Sequence, residues 1–124
     1  MNLLIDSHCL LWWFGGMSIS EPADEAIADL ANEVYVSAAS IWELEIKSAL
    51  GKLTIEGDLL DEITVAGLTL MPITASHGQA AARLPMHHRD PFDRMLIAQA
   101  QLESCSIVSR DTRFADYSVA LIPA

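Results

Sequence analysis

The sequence predicts an α/β fold of three layers, with a central parallel sheet of four to five strands covered by helices on both faces. Three observations predict it. Short apolar runs alternate along the chain with longer segments of helical periodicity, the pattern of β–α–β units. The first run, Leu3-Leu4-Ile5, lacks polar alternation, as a strand buried on both faces should. The length of 124 residues suits one domain, 1–124, and a hydrophobic fraction of 52% is enough for one packed core. No internal repeat, low-complexity tract or linker divides it.

Taken in order, Leu3 to Ile5 is the first strand and Asp6 ends it. His8 to Phe14 reads as a short, very apolar helix before Gly15-Gly16. Ser20 to Asn32 carries capping residues, an early Pro22, and apolar Ala23, Ile27, Leu30 and Ala31, which predict a second helix. Val34 to Val36 is a short strand. Ala38 to Leu50 is a strong helix, with Gly51 as its C-terminal stop. Asp58 to Ala66 is a further helix, and Leu68 to Met71 a strand closed by Pro72. Thr74 to Leu84 is helical and Pro85 to Arg89 a loop. Asp90 suits the N-cap of the next helix, and Pro91 its first position, where no N–H is needed. That helix runs to about Glu103. Ser106 to Ser109 and Val119 to Ile122 are the last two strands.

Ligands of such sheets bind beyond the carboxyl ends of the strands. Two acids stand there: Asp6 after the first strand, and Asp111 just past Ser109. Asp93 is the third residue of its helix, followed at i+3, i+4 and i+7 by Leu96, Ile97 and Ala100. It therefore shares a helix face with residues bound for the core. Glu43 and Glu45 fall on opposite borders of the apolar face of their helix, and periodicity does not choose between them. Each acid has a structural reading when taken singly. Asp6 and Asp111 can serve as cap and turn residues, Asp93 as a capping-box partner of Asp90, and either glutamate as a solvated border. Taken together, they can converge on one pocket. Carboxylates that close repel, and take up protons unless a cation neutralises them. Oxygen ligands without Cys or His suit Mg²⁺ or Mn²⁺. Such an ion suits phosphodiester hydrolysis, where it can activate water, polarise the phosphate and stabilise the leaving oxygen.

Charge and composition narrow the partners. A net charge of −10, from 17 acids and 7 bases, argues by itself against nucleic acid. The distribution of the bases offsets this in part, because Arg83, Arg89, Arg94, Arg110 and Arg113 cluster around the proposed acids. Arginine is the side chain best shaped for phosphate. The first residues hold no basic region, and Asp6 follows the apolar run at once, which argues against a signal peptide. No apolar run approaches the ~18 residues needed to span a membrane. Cys9 and Cys105 lack metal spacing and read as small buried thiols in a reducing cytoplasm.

Five segments in this order are similar to one known family. They are Asn2-Leu3-Leu4-Ile5-Asp6-Ser7-His8; Val36-Ser37-Ala38-Ala39-Ser40-Ile41-Trp42-Glu43; Lys47 with Gly51-Lys52-Leu53; Arg89 to Ala100; and Ile107-Val108-Ser109-Arg110-Asp111. With them the chain resembles the PIN-domain ribonucleases, and more closely the VapC-type toxins of type II toxin–antitoxin pairs. The resemblance implies that Asp6, Glu43, Asp93 and Asp111 are the metal-binding acids through which such an enzyme acts. Asp90 matches an additional acid and Ser109 a hydroxyl lining the pocket. Ser7 and Ser109 stand where the family often carries threonine, and both keep the hydroxyl. It further implies an endoribonuclease dependent on Mg²⁺ or Mn²⁺, cutting tRNA or an exposed rRNA loop to leave a 5′-phosphate and a 3′-hydroxyl. A homodimer is expected, silenced by a VapB-like antitoxin whose C-terminal segment fills the acidic groove. The antitoxin would carry the DNA-binding domain, so direct DNA binding by this chain is not expected.

Other residues read as structural. His8 is expected to pack at a helix start, and His87-His88 to lie in an exposed loop; no spacing supports a histidine base. Trp12, Trp13 and Trp42 read as core or dimer contacts. Arg94 and Arg110, next to proposed ligands, are the candidate RNA contacts, with pairing to nearby acids as the alternative. A receiver domain would want an acidic pair after its first strand, and a haloacid-dehalogenase-like phosphatase an Asp where His8 stands. The remaining alternative is a non-catalytic PIN-like module that binds RNA or protein; it would be signalled by a missing acid, and all four are present.

Overall fold

The computed structural model describes residues 1–124. Its strands are β1 (Asn2–Ile5), β2 (Glu33–Ser37), β3 (Thr69–Met71), β4 (Ser106–Ser109) and β5 (Leu121–Pro123). They form one sheet in the order β3-β2-β1-β4-β5, parallel throughout, with Leu3 opposite Val34 on one side and Ser106 on the other. The helices are α1 (Ser7–Phe14), α2 (Glu21–Ala28), α3 (Ala38–Ala49), α4 (Leu59–Val65), α5 (Ala75–Arg83) and α6 (Pro91–Glu103). A short 3-10 turn, Thr112–Asp116, follows β4. No helix is long and apolar enough to cross a membrane.

Side-chain alternation along β1 generates the layers. Leu3 and Ile5 face one side, where they pack with Leu10, Ile27, Leu44 and Ile63 from α1 to α4. Leu4 and Ile107 face the other, against Leu96, Ile97 and Ala100 of α6 and against Phe114. Each such side chain, fully withdrawn from water, contributes roughly 1.5–3 kcal/mol before the entropy of ordering it is subtracted. The three-layer parallel architecture read from the sequence is the one observed.

Two predicted elements need correction. The second helix stops at Ala28 rather than Asn32, because Asp29 leaves helical geometry at ψ 115°. The Asp29 carboxylate accepts the Ala31 N–H at 2.9 Å, and Asn32 Nδ2 donates to the Ala26 carbonyl at 2.9 Å. This local turn outcompetes a further helical turn. Leu30 and Ala31, expected on the apolar stripe, are exposed as a result. The last strand begins at Leu121, where Leu121 meets Ile107, whereas the Val119 N–H turns back to the Tyr117 carbonyl. Gly51 ends α3 as expected, at φ +75°.

The order of the strands positions the site. From β1 the chain enters α1 on one face of the sheet; from β4, beside it, the chain places Phe114 on the other. Adjacent parallel strands whose continuations part in this way open a crevice at their carboxyl ends. Asp6 and Asp111 stand at that crevice.

Candidate active site

Asp6 is built into the crevice by its own helix. It is the N-cap of α1, with Oδ1 accepting the Cys9 N–H at 2.9 Å, and it is only 5% exposed. Its other oxygen accepts the Ser109 hydroxyl. The Ser109 oxygen in turn accepts the Asp111 N–H at 3.0 Å, so one side chain at the end of β4 links the first acid to the last. Burial, and then the neighbouring Asp6 charge, push the Cys9 thiol up to about 12, which makes it an inert packing residue.

Ser7 and Lys47 set the position of Glu43. The Ser7 hydroxyl donates to Oε1 at 2.7 Å and Lys47 Nζ to Oε2 at 3.2 Å. Glu45 is exposed, so the choice that periodicity left open falls to Glu43.

Asp90 and Asp93 divide the work at the start of α6. Asp90 caps the helix, accepting the N–H groups of Phe92 at 2.9 Å and Asp93 at 3.4 Å. The capping-box alternative does not form. The Asp90 N–H goes to His88 Nδ1 at 3.3 Å, which leaves the Asp93 carboxylate outside the cap. Asp93 Oδ2 lies 2.9 Å from His88 Nε2, and Asp111 Oδ2 lies 3.4 Å from the same nitrogen. One ligand atom from each of His88, Asp93 and Asp111 falls within 4.8 Å of the others.

The electrostatics at Asp93 follow from this crowding. Burial, then the charges of Asp90, Glu43, Asp6 and Asp111, push its carboxyl up to about 7. Asp111 behaves oppositely. Hydrogen bonds from the Arg113 guanidinium, at 2.8 to 3.2 Å, dominate and hold it down to about 2. The donor set therefore fits a hard divalent cation. A carboxyl that its neighbours force towards neutrality is one whose ionised form a cation would restore.

Three expectations about single residues change, and a fourth narrows. Arg94, a candidate RNA contact, is 8% exposed, and its guanidinium donates to the carbonyls of Ala81, Leu84, Pro85 and His88 at 2.8 to 3.1 Å. It is next to Asp93 in sequence but turned onto the end of α5 and the loop before α6, so it is a structural residue. His88, expected in an exposed loop, is 3% exposed with its ring against Phe114. The contact that buries it comes from the 3-10 turn far along the chain, and no local spacing announces it. His8, expected to pack, is exposed above Trp12. Trp42 is 63% exposed and meets Phe92 edge-on, which removes the core alternative of its reading and leaves the dimer contact.

Arg110 remains at the site. Its guanidinium lies 4.1 Å from the Trp12 ring centroid and donates to the carbonyls of Ala124, at 3.0 Å, and Ser18. With Asp6, His8, Trp12 and Asp111 it lines an open pocket of about 330 Å³ beside the acids.

Known proteins resemble this chain along nearly its whole length. The PIN domain family matches residues 3–120. Ribonuclease VapC22 of Mycobacterium tuberculosis is 30% identical over 125 residues, covering 94% of this chain and 92% of the relative. The fold is shared with VapBC2 from Rickettsia felis, solved bound to a DNA fragment from its promoter. That likeness has a TM-score of 0.76 at 13% identity, over 100% of this chain and 99% of the other. A toxin–antitoxin complex from Klebsiella pneumoniae aligns at a TM-score of 0.68 and 15% identity, over 97% of this chain and 95% of its own. With a family match over residues 3–120 and a VapC relative at 30% identity, this chain belongs to the PIN-domain family.

Proposed function

We propose that this chain is a divalent-metal-dependent endoribonuclease and the toxin of a VapBC-type toxin–antitoxin pair. The observation that carries the reading is the gathering of acids at the carboxyl ends of β1 and β4, where Ser109 links Asp6 to Asp111 and Asp93 shares the His88 nitrogen with Asp111. Burial and the surrounding carboxylates, which push the Asp93 carboxyl up, support it. Asp6, Glu43 and Asp93 are the proposed ligands of Mg²⁺ or Mn²⁺, with Asp111 as the fourth acid. When bound, the ion supplies the Lewis acidity that phosphodiester hydrolysis requires. The chain's own residues fix the ligands: Ser109 and the Cys9 N–H hold Asp6, Ser7 and Lys47 hold Glu43, and Asp90 caps the helix that presents Asp93. Hydrolysis by water would leave a 5′-phosphate and a 3′-hydroxyl.

The substrate read for this site is tRNA or an exposed rRNA loop. Arg110, beside the acids, is the proposed phosphate contact; its charge would offset part of the repulsion between an acidic groove and RNA. The proposed partner is a VapB-like antitoxin, in keeping with the toxin–antitoxin complex that shares this fold. An arginine in its C-terminal segment would pair with the carboxylates and compete with metal. The protein is read as a cytoplasmic homodimer, with DNA binding left to the antitoxin.

Total RNA incubated with antitoxin-free protein tests this. Discrete fragments with 5′-phosphates are expected with Mg²⁺ or Mn²⁺, and none with chelator. Absence of cleavage by metal-loaded protein would favour a non-catalytic binding module.

A further inference from the structure

His88 is held from every side. Its N–H donates to the Tyr117 hydroxyl at 2.9 Å, its carbonyl accepts Arg94 Nη1 at 3.1 Å, and Nδ1 accepts the Asp90 N–H at 3.3 Å. An imidazole that accepts at Nδ1 carries its ring proton on Nε2. That nitrogen is buried and aligned with no hydrogen-bond partner, although Asp93 and Asp111 each bring an Oδ2 within 3.4 Å of it. A buried donor without an aligned partner is costly, so one fixed this firmly requires an explanation.

From this geometry we infer that His88 is a positioning residue for the candidate metal centre. With a cation on Oδ1 of Asp93, its Nε2–H would align on Oδ2, which already lies 2.9 Å away, and would hold Asp93 at short range from Asp111. The inference rests on the metal-dependent reading proposed above. The ring is a donor rather than a ligand, because metal binding would need the Nε2 lone pair that the Nδ1 contact denies it. The Asp90 N–H therefore has a second effect besides starting α6: it fixes the tautomer of the ring that faces Asp93.

Two substitutions separate this role from simple packing. His88→Gln keeps a donor near the Nε2 position and loses the Nδ1 acceptor; His88→Asn keeps the acceptor and loses the donor. Mn²⁺ affinity, read by electron paramagnetic resonance, is expected to fall about 10- to 100-fold in His88→Asn and to recover largely in His88→Gln. Wild-type affinity in His88→Asn would overturn the inference. So would equal losses in both variants, accompanied by equal drops in thermal midpoint, since the ring would then only hold the loop. Ring ¹⁵N spectra of the unsubstituted protein need no variant: the proton should stay on Nε2 before and after Mg²⁺ is added. A move of the proton to Nδ1 would make His88 a ligand and overturn it. If the unsubstituted protein binds Mn²⁺ no better than Asp93→Asn, the metal reading itself fails, and the inference with it.

Discussion

The Ser7 hydroxyl donates to Glu43 Oε1 at 2.7 Å, joining the first turn of α1 to the second turn of α3. Ser7 follows Asp6 directly, so one strand end delivers one acid and fixes another. Ser7→Ala should cost about 1 kcal/mol of stability and weaken Mn²⁺ binding by roughly tenfold or more. Ser7→Thr should preserve both. Calorimetric titration of the two variants checks this; equal affinities would reduce the hydroxyl to a packing group.

Asp93→Asn should separate activity from stability. Metal-dependent RNA cleavage is expected to disappear, because the amide cannot neutralise a cation. The metal-free variant should nevertheless melt higher than the parent at pH 8, since a buried charge among four like charges has been removed. Thermal melts in chelator decide the point; a lower midpoint would mean that Asp93 is not repelled in the folded chain.

Metal-free stability should depend on pH with a sign set by two opposite shifts. Asp93 titrates near 7 instead of its ordinary 3.8, so between those values the folded state binds more protons than the unfolded. Stability from this group therefore falls as pH rises from about 4 to 7. Asp111 is depressed to about 2, so its contribution is present above 3.8 and is lost as the pH falls towards 2. Chelated protein should melt higher at pH 5 than at pH 8, and Asp93→Asn should flatten that difference. Below pH 7, cation affinity should rise about tenfold per pH unit, as one proton is displaced. A flat profile would contradict the clustering of the acids.

Arg94→Met should destabilise the protein by about 3 kcal/mol, because four backbone carbonyls lose a charged donor. Arg94→Lys should not restore it, since an ammonium lacks the planar fork. Denaturant unfolding gives the difference directly. RNA affinity of whatever remains folded should be unchanged, and a specific loss there would return Arg94 to the substrate surface.

The architecture was readable where the signal is local. Asp90-Pro91 marks the start of α6, Gly51 the end of α3, and the uninterrupted Leu3 to Ile5 the central strand. Asp93 was readable because its own helix face carries Leu96, Ile97 and Ala100, all buried. Proximity along the chain does not report proximity in space. Arg94 follows Asp93, yet one residue turns a side chain by roughly 100° around a helix, here onto the loop carbonyls. His88 was unreadable for the converse reason, since Phe114 and Tyr117, which bury it, lie far along the chain. Leu30 misled because an Asx turn at Asp29 was stronger than the apolar stripe beyond it.

Asp6 and Ser109 are 103 residues apart and share one hydrogen bond, on strands that lie side by side at the centre of the sheet. Chains are synthesised from the N-terminus, and long-range pairing forms late because its loop must close first. A nascent chain thus carries its first acid, capped by the Cys9 N–H, long before the Ser109 hydroxyl that holds its second oxygen exists. Fragments ending before β4 would lack Ser109, Asp111 and one of the two strands beside β1. The proposed nuclease would accordingly be silent while it is being translated, and would become competent only once nearly the whole chain has left the ribosome.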